Sequence, residues 1–375
     1  KLFQKMGGEN VLHPDRLVVV LDRKMTGTVN NMIQDYNSIH DFMEEQCVEH
    51  FFDCDKGICH QVLAGFLHQG LVVVGSDSHS CTAGALDCFA VGLNKTETAY
   101  LWKTGKMWFR VPETVKITLS GKFREGVYAK DFALHILGML RDEDVDYTLV
   151  EYHGEGVKEL SISDRMTIAN ISAEAGLKTS VFPPDDRLAD YFGDYAVQGV
   201  WADENAVYHK EFTLDLGQVM PLVMVTHQLN DVKSVAEAET LEIQQGLIGA
   251  CSNGRIEDLR VVARILEGKR LASGFQLSVI PASYDIYIQA REEGLVDKIT
   301  KAGASVLGAS CGPCLGSSHM LNADTKRFIT TTNSNSMQRM SEVGVEKYIA
   351  SPATVAATAL TGKLSAEVEY SGEVY

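Results

Sequence analysis

Short apolar segments alternate with helical patterns along most of the chain, and this alternation restricts the fold more than any other feature. Residues 17–21 (LVVVL) and 71–75 (LVVVG) are apolar runs of strand length, and residues 32–52 between them have a helical pattern. Further strands are predicted at residues 115–119 and 147–152, and a helix at residues 130–140. Strands and helices in this order indicate α/β layers with parallel sheets.

The last third of the chain repeats this rhythm most clearly. Strands are predicted at residues 246–249, 277–280, 304–307 and 327–331. The last helix should begin after Ser351 as N-cap, with Pro352 at its first position, and end at Gly362. Residues 183–200 are rich in Asp, Gly and Pro, which predicts irregular structure near a boundary. Because 375 residues are too many for one typical domain, we predict three α/β domains: 1–132, 133–212 and 213–375.

Charge and hydropathy exclude several functional classes. The net charge is −16, from 34 basic and 50 acidic residues, and such a chain repels nucleic-acid backbones. A local basic cleft for an anionic substrate stays compatible with this charge. We find no apolar run of about 18 residues, so no membrane span is expected. With no visible export signal and only eight cysteines, we expect a cytoplasmic protein whose cysteines are buried, catalytic or metal-bound.

Three segments of the last domain combine cysteine, asparagine and glycine: GACSNGR (249–255), SCGPCLG (310–316) and TTTNSNSMQR (330–339). Each follows a predicted strand, and loops at the carboxyl ends of parallel strands meet in one crevice. Cys251, Cys311 and Cys314 should therefore converge. Three thiolates suit an iron–sulfur cluster with one open iron better than a structural zinc site, which prefers four ligands. A redox pair or a chance Cys-x-x-Cys spacing is the alternative.

A second group of polar residues lies earlier in the chain. The segment GSDSHSCT (75–82) places Asp77, Ser78 and His79 on one loop after a strand, where a carboxylate could orient an imidazole. A solvated turn with an N-capping aspartate would explain the same residues. Asn170 and Glu174 are spaced i, i+4 on a predicted helix and could point into a cleft, although a polar helix face explains them equally.

Taken together, these segments closely resemble the aconitase superfamily, in particular the large subunits of 3-isopropylmalate dehydratase and homoaconitase. The resemblance covers nearly the whole chain and is carried, in order, by GICHQ, GSDSH, Lys130–Asp131, RMTIAN, CSNGRIEDLR, CGPCLG and TTN. It implies three α/β/α layered domains with parallel sheets around a central cleft. We expect the swivelling fourth domain of the family to be supplied by a separate small subunit, as in the split members of the family.

The resemblance also implies the residues of the site and its cofactor, a [4Fe-4S] cluster with one open iron that can be lost in aerobic preparations. The cluster ligands would be Cys251, Cys311 and Cys314, with Asn253 and Asn170 beside them. The substrate would be bound by Arg339 and Asn333, and we add Arg23 to this group as a hypothesis of our own. The catalytic residues would be His60, Asp77, Ser78, His79, Glu174 and Asp22.

Two departures from the family pattern bear on the substrate. The family usually has Asp-His after the first strand, where this chain has Asp22 and Arg23. It usually has Asn-Arg-Asn where this chain has Asn333, Ser334 and Asn335. An arginine side chain stays protonated and cannot act as a general acid at neutral pH. We therefore hypothesise that Arg23 supplies the carboxylate contact that the arginine missing at position 334 would make. The alternative is that Arg23 is a surface residue that pairs with Asp22.

The resemblance predicts a hydro-lyase that dehydrates or isomerises a 2-hydroxy dicarboxylate such as 3-isopropylmalate and needs a small swivel-domain subunit. The alternatives are a related dehydratase for a dimethylmalate- or homocitrate-like substrate, a divergent cluster-free enzyme, and an RNA-binding relative. The charge of −16 argues against the last of these, and the three cysteines argue against the cluster-free enzyme.

Overall fold

The computed structural model describes residues 1–22, 29–225 (for 29–32 the backbone alone), 231–238, 240–311, 321–322, 324–333 and 344–366. Its α-helices are α1 (Leu2–Lys5), α2 (Val29–Glu45), α3 (Cys59–Leu63), α4 (Lys95–Thr104), α5 (Ala129–Leu140), α6 (Ile162–Ile171), α7 (Asp186–Phe192), α8 (Ala250–Asn253), α9 (Ile256–Leu266), α10 (Tyr284–Glu292), α11 (Leu295–Ala302) and α12 (Pro352–Thr361). Its strands are β1 (Val18–Val20), β2 (His50–Phe52), β3 (Val72–Gly75), β4 (Phe89–Gly92), β5 (Thr114–Ser120), β6 (Leu149–His153), β7 (Thr179–Val181), β8 (Lys210–Asp215), β9 (Leu222–Val225), β10 (Asp231–Ser234), β11 (Gln245–Gly249), β12 (Gln276–Ile280), β13 (Ser305–Val306), β14 (Arg327–Thr330) and β15 (Glu346–Ala350).

The largest sheet has seven strands in the order β10-β9-β15-β14-β11-β12-β13. The five strands from β15 to β13 are parallel, whereas β9 and β10 add an antiparallel pair at one edge. Strand β11 is buried at all five positions, which agrees with a strand covered by helices on both faces. Helices α9 and α12 contribute to the same apolar cluster as this sheet. The rhythm predicted for the last third of the chain is confirmed.

A second sheet is fully parallel and has four strands in the order β7-β6-β5-β8. Alternate residues of β5 are buried, so one face of this sheet lies on the core, where α5 and α6 pack with it. Two further parallel pairs, β1 with β2 and β3 with β4, precede it in the chain. The four-stranded sheet includes β5, which precedes the predicted boundary at residue 132, and β8, which spans the one at residue 212. The division into three domains stays a prediction.

Most of the predicted elements are present, and the α/β class with mostly parallel sheets is confirmed. One interpretation was wrong, because residues 32–52 do not form a single helix. Helix α2 ends at Glu45, and the chain then turns through Cys47, whose φ of 53° is left-handed, into β2. Helix α7 likewise lies within residues 183–200, which were predicted to be irregular. A segment with a helical pattern can end in a strand when a parallel partner, here β1, pairs with it.

The last described helix begins and ends as its sequence predicts. The Ser351 hydroxyl accepts a hydrogen bond from the backbone N–H of Thr354, and Pro352 occupies the first turn, where no N–H is needed. Gly362 ends the helix in the left-handed conformation, with φ of 73°. Among the described residues, no helix is long and apolar enough to cross a membrane.

Candidate active site

The polar residues singled out from the sequence follow the carboxyl ends of several strands. Asp22 follows β1, Asp77 follows β3, Cys251 follows β11 and Asn333 follows β14. Loops at this edge of parallel strands face a common crevice. Side chains that are far apart in sequence meet directly at this edge, as the following groups describe, while the convergence of Cys251, Cys311 and Cys314 stays a prediction.

Asp77 is held between two imidazoles. Its Oδ1 lies 3.2 Å from Nε2 of His60 and 3.4 Å from Nδ1 of His79, and it also accepts the backbone N–H of His79 at 2.9 Å. Asp77 is thereby the N-cap of a 3-10 helix, Ser78–Leu86. Burial alone would raise the pKa of Asp77, but hydrogen bonds from both histidines outweigh it and hold that pKa well below its usual range. Asp77 is therefore ionised at neutral pH.

His79 bridges Asp77 to a second carboxylate. Its Nε2 lies 3.3 Å from Oε1 of Glu174, and Oγ of Ser78 lies 3.4 Å from its Nδ1. Burial alone would lower the pKa of His79, but the hydrogen bonds with Asp77 and Glu174 and the charge of Cys251 raise it to about 10. A buried imidazole flanked by two carboxylates thus holds a proton on each ring nitrogen at neutral pH.

Asn170 and Glu174 were predicted to lie on one face of a single helix, and this was wrong. Helix α6 ends at Ile171, and Glu174 lies in a following 3-10 turn, Ser172–Ala175, that Gly176 ends in the left-handed conformation. The tighter turn directs Glu174 to His79, whereas Asn170 on α6 reaches Cys251. Both residues contact the candidate site, but through different elements.

Lys130, Asn333, Asn170 and Cys251 are joined by successive side-chain contacts, which we call the polar row. Nδ2 of Asn333 donates to Oδ1 of Asn170 at 2.6 Å, and Nδ2 of Asn170 lies 3.6 Å from Sγ of Cys251. Nζ of Lys130, on α5, donates to Oδ1 of Asn333 at 3.3 Å. Burial lowers the pKa of Lys130 to about 8. The row delivers an amide N–H to the cysteine sulfur.

Helix α8, which carries Cys251, is held in place by the nearby Arg255. The guanidinium donates to the backbone carbonyl oxygens of Cys251, at 3.1 Å, and of Ser252, and to Oγ1 of Thr167 at 2.6 Å. Gly249 precedes α8 with φ of 129°, and a side chain there would meet the carbonyl oxygen of Ile280 at 2.0 Å. The sharp exit from β11 therefore requires glycine.

Asp22 connects two cysteine-bearing segments. Its Oδ2 accepts the backbone N–H of Cys59 at 3.1 Å, and its carbonyl oxygen lies 3.5 Å from the backbone nitrogen of Cys311. Cys59 is next to His60, so Asp22 and Cys311 lie at the side of the site where His60 enters it. The structure thus gives Asp22 a positioning contact with both segments.

Other predicted residues are not joined to this group or lie outside the described part of the chain. Nδ2 of Asn253 donates to Oδ1 of Asp258 at 3.0 Å and to Oγ1 of Thr167 at 3.4 Å, while its buried Oδ1 has no hydrogen-bond partner among the described residues. Cys314, Arg23 and Arg339 lie outside the described residues. Their predicted roles stay predictions.

The arrangement is compatible with a thiolate-bound cofactor. Cys251 and Cys311 follow β11 and β13, which lie on either side of β12 and run in the same direction. The amide of Asn170, which accepts from Asn333, supplies a donor toward the Cys251 sulfur, as a sulfide-bearing cluster needs. One atom each of His60, Asp77 and His79 also lie within 4.8 Å of one another, which is compatible with a metal ion. Those atoms, however, already face one another in the contacts described above.

Two residues that sequence reasoning left without a role belong to the site. Lys130 and Arg255 lie in segments that carry the resemblance, yet a lysine near a helix start and an arginine before a helix usually lie at the surface. Their side chains are instead buried, with 1% and 4% of the residue surface exposed. For Arg255, the preceding Cys251 and Asn253 were an available signal of a polar interior, whereas the sequence around Lys130 carries none.

Comparison with known proteins gives a consistent result. Residues 8–362 match the model of the aconitase family (aconitate hydratase). The chain is 41% identical over 368 residues to "3-isopropylmalate dehydratase large subunit 1" of Methanopyrus kandleri, covering 97% of this chain and 88% of that protein. It is 38% identical to "Probable methanogen homoaconitase large subunit" of Methanosarcina mazei, covering 97% and 93%.

A solved structure has a related fold. The holo-form crystal structure of aconitase X from Thermococcus kodakaraensis matches with a TM-score of 0.55 and 13% sequence identity, covering 92% of this chain and 80% of that one. At this identity the likeness concerns the fold alone, and it agrees with the α/β architecture described above.

Proposed function

This chain belongs to the aconitase family, and from that premise we propose that it is the large subunit of an iron–sulfur hydro-lyase. Its substrate would be a 2-hydroxy dicarboxylate such as 3-isopropylmalate, which it dehydrates or isomerises. The observation that carries the proposal is the meeting of two buried histidine–carboxylate contacts, His60 with Asp77 and His79 with Glu174, beside Cys251. Relatives named as large subunits of 3-isopropylmalate dehydratase support it.

The cofactor we propose is a [4Fe-4S] cluster held by Cys251, Cys311 and Cys314. When bound, it would supply a Lewis-acidic open iron for the hydroxyl and a carboxylate of the substrate. The described donor set fits this group, since Asn170 directs an N–H to the Cys251 sulfur. Asn253, on α8 with Cys251, is proposed to lie beside the cofactor.

The residues of the chain would handle the proton that dehydration requires. His79 holds a proton at Nε2 against Glu174 and at Nδ1 against Asp77, so a proton is available when the hydroxyl leaves. Asp77 stays ionised and keeps both imidazoles oriented. Ser78 is proposed to act beside His79, and Asp22 to fix the adjoining segments.

Substrate binding is proposed to depend on charged residues outside the described part of the chain. Arg339 would bind one carboxylate, and Arg23 a second one in place of the arginine that Ser334 replaces. A guanidinium can bind a carboxylate through two hydrogen bonds. Asn333 would contact substrate from the cluster side, where its amide is buried.

The partner we propose is a small swivel-domain subunit, as the large-subunit names of relatives suggest. A chain of net charge −16 favours a partner with basic loops at the interface, since opposite charges steer association. Neither nucleic acid nor membrane is part of the proposal, and the cytoplasm is the proposed location.

A second candidate is a homologous dehydratase for a homocitrate-like 2-hydroxy tricarboxylate. The relative named as a homoaconitase, at 38% identity, supports it. The mechanism above would be unchanged, because the histidine–carboxylate contacts and the cysteines do not depend on the remainder of the substrate. The two candidates differ in how many carboxylates must be bound.

The test is anaerobic reconstitution followed by assay with the small subunit. We expect broad absorbance near about 400 nm in the wild-type chain, loss of it in Cys251→Ala, and no change in Cys47→Ala, whose cysteine is exposed. Turnover should require both subunits and should be compared on 3-isopropylmalate and a homocitrate-like acid. A full cluster in Cys251→Ala, or no turnover of either acid by the loaded complex, would refute the proposal.

A further inference from the structure

Lys130 is one of the most deeply buried charged side chains, and no role has been assigned to it so far. Only 1% of its surface is exposed, and it lies near the start of α5. Its neighbour Asp131 is committed elsewhere, because its carboxylate accepts the backbone N–H groups of Tyr128 and Leu222, each at 3.0 Å. Within the described residues, the Lys130 ammonium makes one hydrogen bond, to Oδ1 of Asn333.

An ammonium group can only donate hydrogen bonds, and this fixes the direction of the row that it starts. Because Lys130 donates to Oδ1 of Asn333, Nδ2 of Asn333 must face Asn170. Oδ1 of Asn170 then accepts, and Nδ2 of Asn170 must face the remaining partners. These are Oγ1 of Thr82, at 2.8 Å, and Sγ of Cys251, at 3.6 Å.

Thr82 agrees with this direction independently. Its hydroxyl donates to the carbonyl oxygen of His79 at 2.7 Å, so its oxygen is left to accept from Asn170. Oδ1 of Asn170 lies farther from Sγ of Cys251, at 4.0 Å, than Nδ2 does. Each amide in the row is polarised by the one before it, and the last N–H becomes a stronger donor.

We propose that Lys130 is a positioning residue for the cluster. Through Asn333 it orients the amide of Asn170 so that an N–H faces the Cys251 thiolate, and it places a buried positive charge behind that thiolate. Hydrogen bonds to the sulfurs and nearby charge set the potential of a cluster and its retention. This inference rests on the proposed function, because it requires that Cys251 hold a cluster.

The test uses the reconstituted full chain, with readouts other than turnover. Lys130→Met removes the charge and the donor at similar length. We expect its cluster to be lost in air about 10–100-fold faster than that of the wild type, as for other partners of metal ligands. We also expect a more negative midpoint potential, because the positive charge that favours the added electron is gone.

Two further variants separate orientation from charge. Lys130→Gln can still donate to Asn333 without a charge, so it should recover part of the cluster lifetime and keep the more negative potential. Asn333→Leu keeps Lys130 but interrupts the row, and it should shorten the lifetime as Lys130→Met does. If both act through one row, the double variant should be no worse than either single one.

The control is Lys116→Met, on the half-exposed outer face of β5, which should match the wild type in both readouts. Thermal unfolding of the apo-chains separates a folding defect from a cluster effect, and Asn333→Leu keeps the test open if Lys130→Met fails to fold. A wild type that binds no cluster would refute the proposed function and this inference together. A loaded wild type matched by Lys130→Met and by Asn333→Leu would overturn this inference alone.

Discussion

Asn170 and Cys251 are 81 positions apart in the chain, yet the Nδ2 atom of Asn170 lies 3.6 Å from the Sγ atom of Cys251. The contact joins the end of α6 to α8, the short helix that directly follows β11. It thereby connects a helix packed on the four-stranded sheet to the seven-stranded sheet. Arg255 secures the same junction by donating to Thr167 on α6 and to the Cys251 carbonyl oxygen. The cysteine sulfur is therefore placed by two layers of the fold at once.

Asn170→Asp tests the amide donor directly. A carboxylate in place of the amide presents no N–H to Cys251 and adds like charge beside a thiolate, so we expect iron and sulfide content after reconstitution to fall sharply. The control is Asn94→Asp, because Asn94 is an exposed N-cap of α4 where aspartate caps equally well. Equal iron content in the two variants would contradict the contact's role.

His79→Gln tests the proposed proton donor. Glutamine can keep a hydrogen bond in the site but cannot deliver a proton, so kcat/KM of the loaded complex should fall by about 10²–10⁴-fold. His209→Gln, at the partly exposed position just before β8, should leave kcat/KM unchanged. Cluster content should be equal in both variants. A His79→Gln enzyme within a few-fold of wild type would remove His79 from the proposed mechanism.

The buried ion pair between Arg165 and Asp185 should dominate the stability of its region. Arg165 is fully buried, and its Nη1 donates to Oδ1 of Asp185 at 2.9 Å, while Asp185 also caps α7. Arg165→Met leaves a largely buried carboxylate unpaired, and we expect the free energy of unfolding in urea to fall by about 3–5 kcal/mol.

The matched control for that variant is Arg260→Met. Arg260 pairs with Glu293 at 2.6 Å, but both side chains are substantially exposed, and such pairs contribute about 0–1 kcal/mol. If the two variants lost similar stability, the burial argument for Arg165 would fail.

Asp87 makes the free energy of unfolding depend on pH. Burial raises its pKa to about 7, although its Oδ2 accepts the backbone N–H of Val200 at 3.0 Å. A carboxyl whose folded pKa lies above its unfolded value of 3.8 contributes less stability as pH rises from about 4 to 7. Asp87→Asn keeps an acceptor for Val200 and suits the left-handed φ of 57°.

We therefore expect Asp87→Asn to gain stability relative to wild type between pH 4.5 and pH 8. Each unit of pKa shift corresponds to roughly 1.4 kcal/mol. Urea unfolding at the two pH values would measure the gain, with the exposed Asp203→Asn as control. A stability difference that does not change with pH would show that Asp87 titrates normally.

The sequence predicted those helices and strands whose ends are marked by residues within or next to the element itself. The valine runs of β1 and β3 and the Ser351, Pro352 and Gly362 signals of α12 are examples. Strand β8 was not predicted, because its half-exposed and exposed residues alternate and its register depends on β5, which lies far away in the chain.

The sequence predicted which residues belong to the site but not which of them contact one another. Asp77 and His79 were expected to interact because they are neighbours, whereas the His60 contact depends on how α3 packs. The burial of Lys130 could not be predicted, because its partner Asn333 is 203 positions away. Interactions over such distances have no signature in local sequence.

In the seven-stranded sheet, the strands that precede Cys251 and Cys311 differ in how many residues they pair with neighbouring strands. Cys251 follows β11, which pairs with β12 through five residues and also with β14, whereas Cys311 follows β13, an edge strand paired through two. Opening free energies within one protein differ from element to element, and sparsely paired edges open most cheaply. Amide hydrogens of residues 305–306 should therefore exchange sooner than those of residues 245–249. Local opening of the site would then begin at the segment that carries Cys311. The segment that carries Cys251 and the sheet beneath it would stay folded, so the site could close again without global refolding.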